Sequence, residues 1–185
     1  MNNLLRAVTE IPSGIIKASV NNIVHRSHIS PICAVSPTAE ITINNKTNVS
    51  IENYFRLRSG ARIKVREGGI LNIGRNVSLN YGCIIVCHEK IIIGSNVQFS
   101  PNVLVYDHDH DYKAKGGMKS MAFKTSPIKI GSNVWIGANS VILRGSVIGD
   151  NTVIGAGSII KGEIPAGSIV IQKREEIIRQ WNEYR

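Results

Sequence analysis

From Ile130 onward the chain repeats every six residues, with IGSNVW, IGANSV, ILRGSV, IGDNTV and IGAGSI following one another without a gap. Isoleucine recurs at 130, 136, 142, 148, 154 and 160, while the fifth position of successive units holds Val134, Ser140, Ser146, Thr152 and Ser158. Neither a helical period near 3.6 nor strand alternation produces a strict period of six. A short strand followed by a corner does. Three such units close a triangular coil in which each isoleucine stacks on the one eighteen residues away. Glycine or asparagine beside the large apolar residue is expected to supply the positive φ of a tight corner. The fold class is therefore all-β, a parallel β-helix cored by stacked aliphatic side chains. Stacking alone does not set its hand, and the general rule for parallel crossovers favours right-handed connections.

The same register runs backward through IGSNVQ and FSPNVL (93 to 104) and IGRNVS and LNYGCI (73 to 84), and more loosely around Phe55 and Ala61. Two interruptions stand out. The step from Ile85 to Ile93 is eight residues, which pushes two extra residues out near His88 and Glu89, and an excursion from Tyr106 to Pro127 leaves the coil before Ile130. Departures from a regular scaffold are where binding and catalytic groups concentrate. Three segments follow: an N-terminal helical segment (1–30), a β-helix (31–172) with the loop 106–127, and a C-terminal helix (173–185). Within the first, Pro12-Ser13-Gly14 is expected to divide two short amphipathic helices. In the last, Ile177, Ile178, Trp181 and Tyr184 share one face and would cover the final coil's open edge.

Composition narrows the function classes. Hydrophobic residues make up 43% of the chain and charged residues 19%, a balance that supports one folded core. No apolar run approaches the roughly 20 residues of a membrane span. The start Met1-Asn2-Asn3-Leu4-Leu5-Arg6-Ala7 lacks a secretory pattern, so a cytoplasmic location is expected. Cys33, Cys83 and Cys87 are odd in number and lack zinc-site spacing, and are expected to be reduced. The net charge of +9 suits a polyphosphate, an acidic glycan or an anionic membrane surface. Nucleic acid is not expected, because basic residues are dispersed and aromatics reach only 5%. Peripheral membrane contact through the basic N-terminal segment is compatible with Lys17 and Arg26.

The most polar cluster, Tyr106-Asp107-His108-Asp109-His110-Asp111-Tyr112, stands where the excursion begins. Histidine can take up a proton near neutral pH, and a carboxylate on its other ring nitrogen would fix the tautomer. His108, His110 and His88 could alternatively supply three metal ligands, which keeps a carbonic-anhydrase-like lyase as a second reading. A silent assembly scaffold is a third.

Three segments, IGRNVSLNYGCIIV, IGSNVQFSPNV with the histidine loop, and PIKIGSNVWIGANSVILRGSVIGDNTVIGAGSIIKGEIP, resemble the hexapeptide-repeat acetyltransferases, particularly the sugar and polysaccharide O-acetyltransferases. The likeness covers about residues 70 to 170. It implies a left-handed β-helix, a homotrimer, acetyl-CoA as co-substrate without a metal, and acetyl transfer to a glycan hydroxyl in surface polysaccharide modification. Serine, an antibiotic hydroxyl and a nucleotide amino-sugar are the other acceptors such enzymes take. An ungapped match places the general base at His110, with His108 in reserve, and puts Asn80 and His88 where acceptor contacts sit. By the same match the cofactor groove involves Gly137, Ala138, Ala156, Lys161 and Gly162, with Trp135 as a wall and a nearby backbone N–H as oxyanion donor. The resemblance lapses after the last coil. Ile169-Val170-Ile171-Gln172-Lys173-Arg174 stands where relatives carry a Gly-x-Pro-Ala-like segment.

Overall fold

The computed structural model describes residues 3–173. Short parallel strands stack into a left-handed β-helix with three faces, two of seven strands and one of six. The first face begins at His28–Ile29, the second at Cys33–Val35 and the third at Glu40–Ile43. Ile130 pairs with Ile148, Ile136 with Ile154 and Ile142 with Ile160, as an eighteen-residue coil requires. All six isoleucines are at most 2% exposed, and burial of each such side chain is worth roughly 1.5–3 kcal/mol. The alternating small position is also buried, and its hydroxyls are satisfied within the coil. Ser146 donates to Leu143 O at 2.6 Å and Ser158 to Gly155 O at 2.6 Å.

The early coils are regular rather than degenerate, but longer. Glu40 pairs with Arg62 and Arg62 with Ile84, each 22 residues on, and Ile84 then pairs with Leu104, 20 residues on. A hexapeptide template applied to coils that carry extra corner residues loses register, which is why the sequence there looks irregular.

Asparagine and glycine carry the positive φ of the corners as expected, at Asn133, Asn139 and Asn151 with φ of 57, 59 and 55° and at Gly145 and Gly157 with 78 and 71°, each three places after the large apolar residue rather than directly after it. Along one edge Asn76, Asn96, Asn133 and Asn151 form a ladder in which each side-chain amide donates to the next carbonyl at 2.9 to 3.1 Å. The glycine directly after that residue serves close packing between coils instead: a Cβ at Gly137 would lie 2.5 Å from Ala156 N, and one at Gly149 2.3 Å from Ala166 N.

The N-terminal segment is one helix, Asn3–His25, rather than two. Pro12 lies inside it, and Gly14 is not a break but a contact, since a Cβ there would sit 2.8 Å from Cys33 O. Packing on the second face has overridden the local breaker signal. The helix turns its polar side inward. Glu10, 5% exposed, receives Arg58 at 2.6 Å, and Lys17 donates to the carbonyls of Ser36 and Pro37 at 3.0 and 3.1 Å. Val8, Ile16, Val20 and Ile23 are left exposed. None of the described helices is long and apolar enough to cross a membrane. The expected C-terminal helix lies outside the described residues, apart from Lys173, which is exposed.

Candidate active site

Both interruptions of the repeat fall on the edge where the third face turns into the first, and they meet. The eight-residue step separates strands Ile84–Cys87 and Lys90–Ile93, so His88 and Glu89 project at the corner. One rung above, the strand Leu104–Tyr106 keeps Tyr106 in the ladder, paired with Val86 and Leu143, and the excursion starts at Asp107 rather than at Tyr106. It folds into an antiparallel ribbon, His108–His110 with Phe123–Thr125, in which His110 stands opposite Phe123.

Asp107 joins the two. Its side chain is fully buried, and its carboxylate accepts hydrogen bonds from the backbone N–H groups of His88 (2.8 and 3.1 Å), Glu89 (2.8 Å) and Lys90 (3.0 Å). Three successive N–H groups turned on one anion form a nest, which satisfies donors that the bulged corner removes from the ladder. The Asp107 carbonyl accepts from Ser126 N at 2.9 Å and so anchors the returning end of the loop.

His108 Nδ1 lies 3.4 Å from Asp107 Oδ1. The His108 ring stacks on His88 with centroids 3.9 Å apart and meets Phe123 and Tyr106 edge-on. His110 is exposed, with its ring 4.8 Å from Phe123. The three histidines line one cavity of about 550 Å³ with Tyr106, Met121 and Phe123, and with Arg62, Lys64, Ile84, Val86 and Arg66 across its floor. Among the described residues no group of His, Cys, Asp and Glu is arranged to hold a metal ion; the His88 and His108 rings face one another rather than converging on a point.

Burial, the neighbouring His108 and the Arg66 charge push His88 down from 6.5 to about 4, against the opposing pull of Asp107, so His88 is neutral at pH 7. The unfolded chain therefore binds the extra proton between those values. Stability from this site is fully present above about pH 6.5 and is lost as pH falls toward 4. We expect the melting temperature to drop over that window, with a shallower drop in His88→Gln, measured by thermal unfolding at matched ionic strength.

The remaining candidates are not gathered at this cavity. Asn80, Gly137, Ala138 and Ala156 lie on the edge between the second and third faces, and Trp135 is exposed on the second face. Asn80 Oδ1 accepts from Tyr81 N at 2.8 Å, a corner contact. Lys161 and Gly162 share the histidine edge, two rungs above the excursion, where Lys161 is exposed. The backbone N–H groups of Trp135 and Gly137 donate to Thr152 and Ile154 carbonyls at 3.0 and 2.8 Å, so neither is free to meet an oxyanion. The Trp135 indole donates to Ser100 Oγ at 3.0 Å, which holds the ring outward. Cys33, Cys83 and Cys87 are free and buried, and burial raises each thiol's pKa, which keeps them from acting as nucleophiles.

Gly137 is buried, so its lack of a side chain is required by the coil above it whatever else the position does. Gly137→Ala is expected to cost about 1–3 kcal/mol through overpacking, read as a lower urea midpoint. An unchanged midpoint would return Gly137 to a purely ligand-facing role.

Stacked hexapeptide coils, cut open where the repeat fails and lined there with histidines, define a β-helix protein with one candidate site at the defect. The family model for bacterial transferase hexapeptide (six repeats) matches residues 127–162. A putative lipopolysaccharide biosynthesis O-acetyl transferase of Escherichia coli is 28% identical over 76% of this chain and 76% of its own length. The galactoside O-acetyltransferase of the same organism is 39% identical over 63% of this chain, which spans 57% of that protein. Among solved structures, the N-acyltransferase AntD of Bacillus cereus superposes with a TM-score of 0.65 at 18% identity, covering 89% of this chain and 90% of AntD, a likeness of fold. Residues 127–162 thus match the bacterial transferase hexapeptide repeat, and the chain is similar to O-acetyltransferases over most of its length.

Sequence reasoning found the histidines and missed what positions them. In the sequence Asp107 is one member of the polar cluster 106–112, and its partners at 88–90 become its neighbours only through the twenty-residue register. The basic floor had a legible signal, the alternation Arg62-Ile63-Lys64-Val65-Arg66.

Proposed function

We propose that the protein transfers the acetyl group of acetyl-CoA to a hydroxyl of a sugar acceptor held in the histidine cavity, with His110 as general base. The observation that carries this reading is the convergence of His88, His108 and His110 on one cavity, with the exposed His110 ring at its open side. Acetyl-CoA supplies an activated acyl group, so the protein has only to orient the acceptor and move one proton. His110 takes the hydroxyl proton as the oxygen attacks, and later returns it to the departing thiolate. The neutral His88 offers the acceptor a hydrogen-bonding edge without repelling a charge. His108, held between Asp107, His88 and Phe123, is a positioning residue that keeps the ribbon over the cavity. This reading agrees with the activities for which the two Escherichia coli relatives are named, and modification of a surface polysaccharide is the role it points to.

Ala138 and Ala156, with the exposed rings and side chains of Trp135 and Ile159 nearby, form a smooth strip that suits the thin arm of a CoA thioester, and Lys161 could face a phosphate. Because that strip and the histidines occupy different edges of one prism, the complete site is assembled between copies in a trimer. The exposed Val8, Ile16 and Ile23 give such an assembly apolar surface to bury.

The test is thiol release from acetyl-CoA over a panel of hydroxylated sugars, with solution mass measured on the same sample. Acceptor-dependent release by a trimer is expected. Release from no acceptor, or full activity as a monomer, overturns the corresponding half of the proposal.

A further inference from the structure

We infer that the acceptor carries an anionic group, a carboxylate or a phosphate, and that Arg62, Lys64 and Arg66 form the subsite that holds it beside the histidines. The inference rests on the acetyl-transfer reading and adds to it the charge of the substrate.

Successive side chains of a strand point to opposite faces. In the strand Arg62–Val65, Ile63 and Val65 are fully buried in the core, so Arg62, Lys64 and, just past its end, Arg66 stand in a row on the outer face. Register sets what they look at. Arg62 pairs with Ile84 and Lys64 with Val86, while Arg66 N donates to Cys87 O at 2.8 Å, which brings Arg66 alongside His88. The next rung carries Tyr106 and leads into His108. Rungs are about 4.8 Å apart, so the cationic row lies roughly one to two rungs, or about 5–10 Å, from the histidine edge. That is the span of one sugar unit.

The charge balance makes the row specific. Arg62 has a carboxylate partner, Glu40, at 3.6 Å. Neither Lys64 nor Arg66 makes an ion pair among the described residues, and no Asp or Glu lines the cavity that all three share with the histidines. Arg66 is close enough to help keep His88 unprotonated. A neutral acceptor would leave this concentration of positive charge unanswered. An anionic group would meet it with charge-assisted hydrogen bonds, and the guanidinium forks of Arg62 and Arg66 match the geometry of carboxylate and phosphate oxygens.

The experiment is calorimetric titration of the intact protein with glucuronic acid, glucose 1-phosphate and glucose at low salt, repeated with the K64Q/R66Q double variant. Both substituted residues point outward without ion-pair partners among the described residues, and an unchanged melting temperature checks that the variant is folded. The expected result is that at least one anion binds about 10-fold or more tightly than glucose and loses about 10- to 100-fold in the double variant, with glucose binding unaffected. Preference for glucuronic acid identifies a carboxylate acceptor, and preference for glucose 1-phosphate a phosphorylated one. The inference is overturned if neither anion binds the wild-type protein, if glucose binds as well as both, or if the double variant binds anions like the wild type. Anion binding that depends on the row, together with no thiol release from acetyl-CoA, would leave the subsite standing and overturn the acetyl-transfer reading instead.

Discussion

Asp107→Ala is expected to destabilise the protein by about 3–5 kcal/mol and to erase the histidine cavity with it. The size follows from what is stranded. The carboxylate is fully buried and receives four hydrogen bonds from three consecutive N–H groups at 88–90. Each buried donor left unmet costs about 1–3 kcal/mol. Partial relaxation of the corner keeps the total below the simple sum. Asp107→Asn keeps the shape and one acceptor oxygen but turns an amide N–H₂ toward the nest, so an intermediate loss is expected. Chemical denaturation of the three proteins measures this. An Asp107→Ala variant within about 0.5 kcal/mol of the wild type would show that the nest is not what holds the bulge. The same substitution should abolish acetyl transfer, because His88 and His108 both lean on that corner.

His110→Ala is expected to lower kcat by about 10²–10⁴-fold with a smaller change in KM for the acceptor. That is about 3–5 kcal/mol of transition-state stabilisation. His110 is exposed and, among the described aromatic residues, its ring contacts only Phe123, so removal should leave the melting temperature nearly unchanged. His108→Ala differs in kind. It opens a gap against His88, Phe123 and Tyr106 and removes a ring from beside Asp107, so stability and activity should fall together. Acetyl-CoA turnover at saturating acceptor, measured beside thermal unfolding, separates the two. A larger kcat loss in His108→Ala, at unchanged stability, would exchange their roles.

The charged floor ties these predictions to specificity. In the proposed mechanism His110 would supply proton transfer to any hydroxyl placed before it, whereas Lys64 and Arg66 would discriminate among the molecules that place one there. A base variant should therefore fail on every acceptor, and a floor variant only on the anionic ones.

The repeat was legible because its cause is local to each hexapeptide. A large apolar residue, a corner and a small residue recur at fixed spacing, and the observed pairs Ile130–Ile148 and Ile142–Ile160 follow from counting. Local signals failed where a distant contact outweighed them. Pro12 and Gly14 look like a helix break until Cys33 is seen to need the space at Gly14, and the coils before Ile84 look degenerate until their 22-residue register is known. The site divides the same way. Periodicity by itself determined that the chain is a β-helix and marked its two interruptions, at His88 and in the loop after Tyr106, as the candidate positions for a site. Only the tertiary structure decided that these two defects are one site, bound through Asp107 and floored by Arg62, Lys64 and Arg66. Which residues share a rung depends on the number of residues in every coil between them, and that number changes along this chain from 22 to 20 to 18.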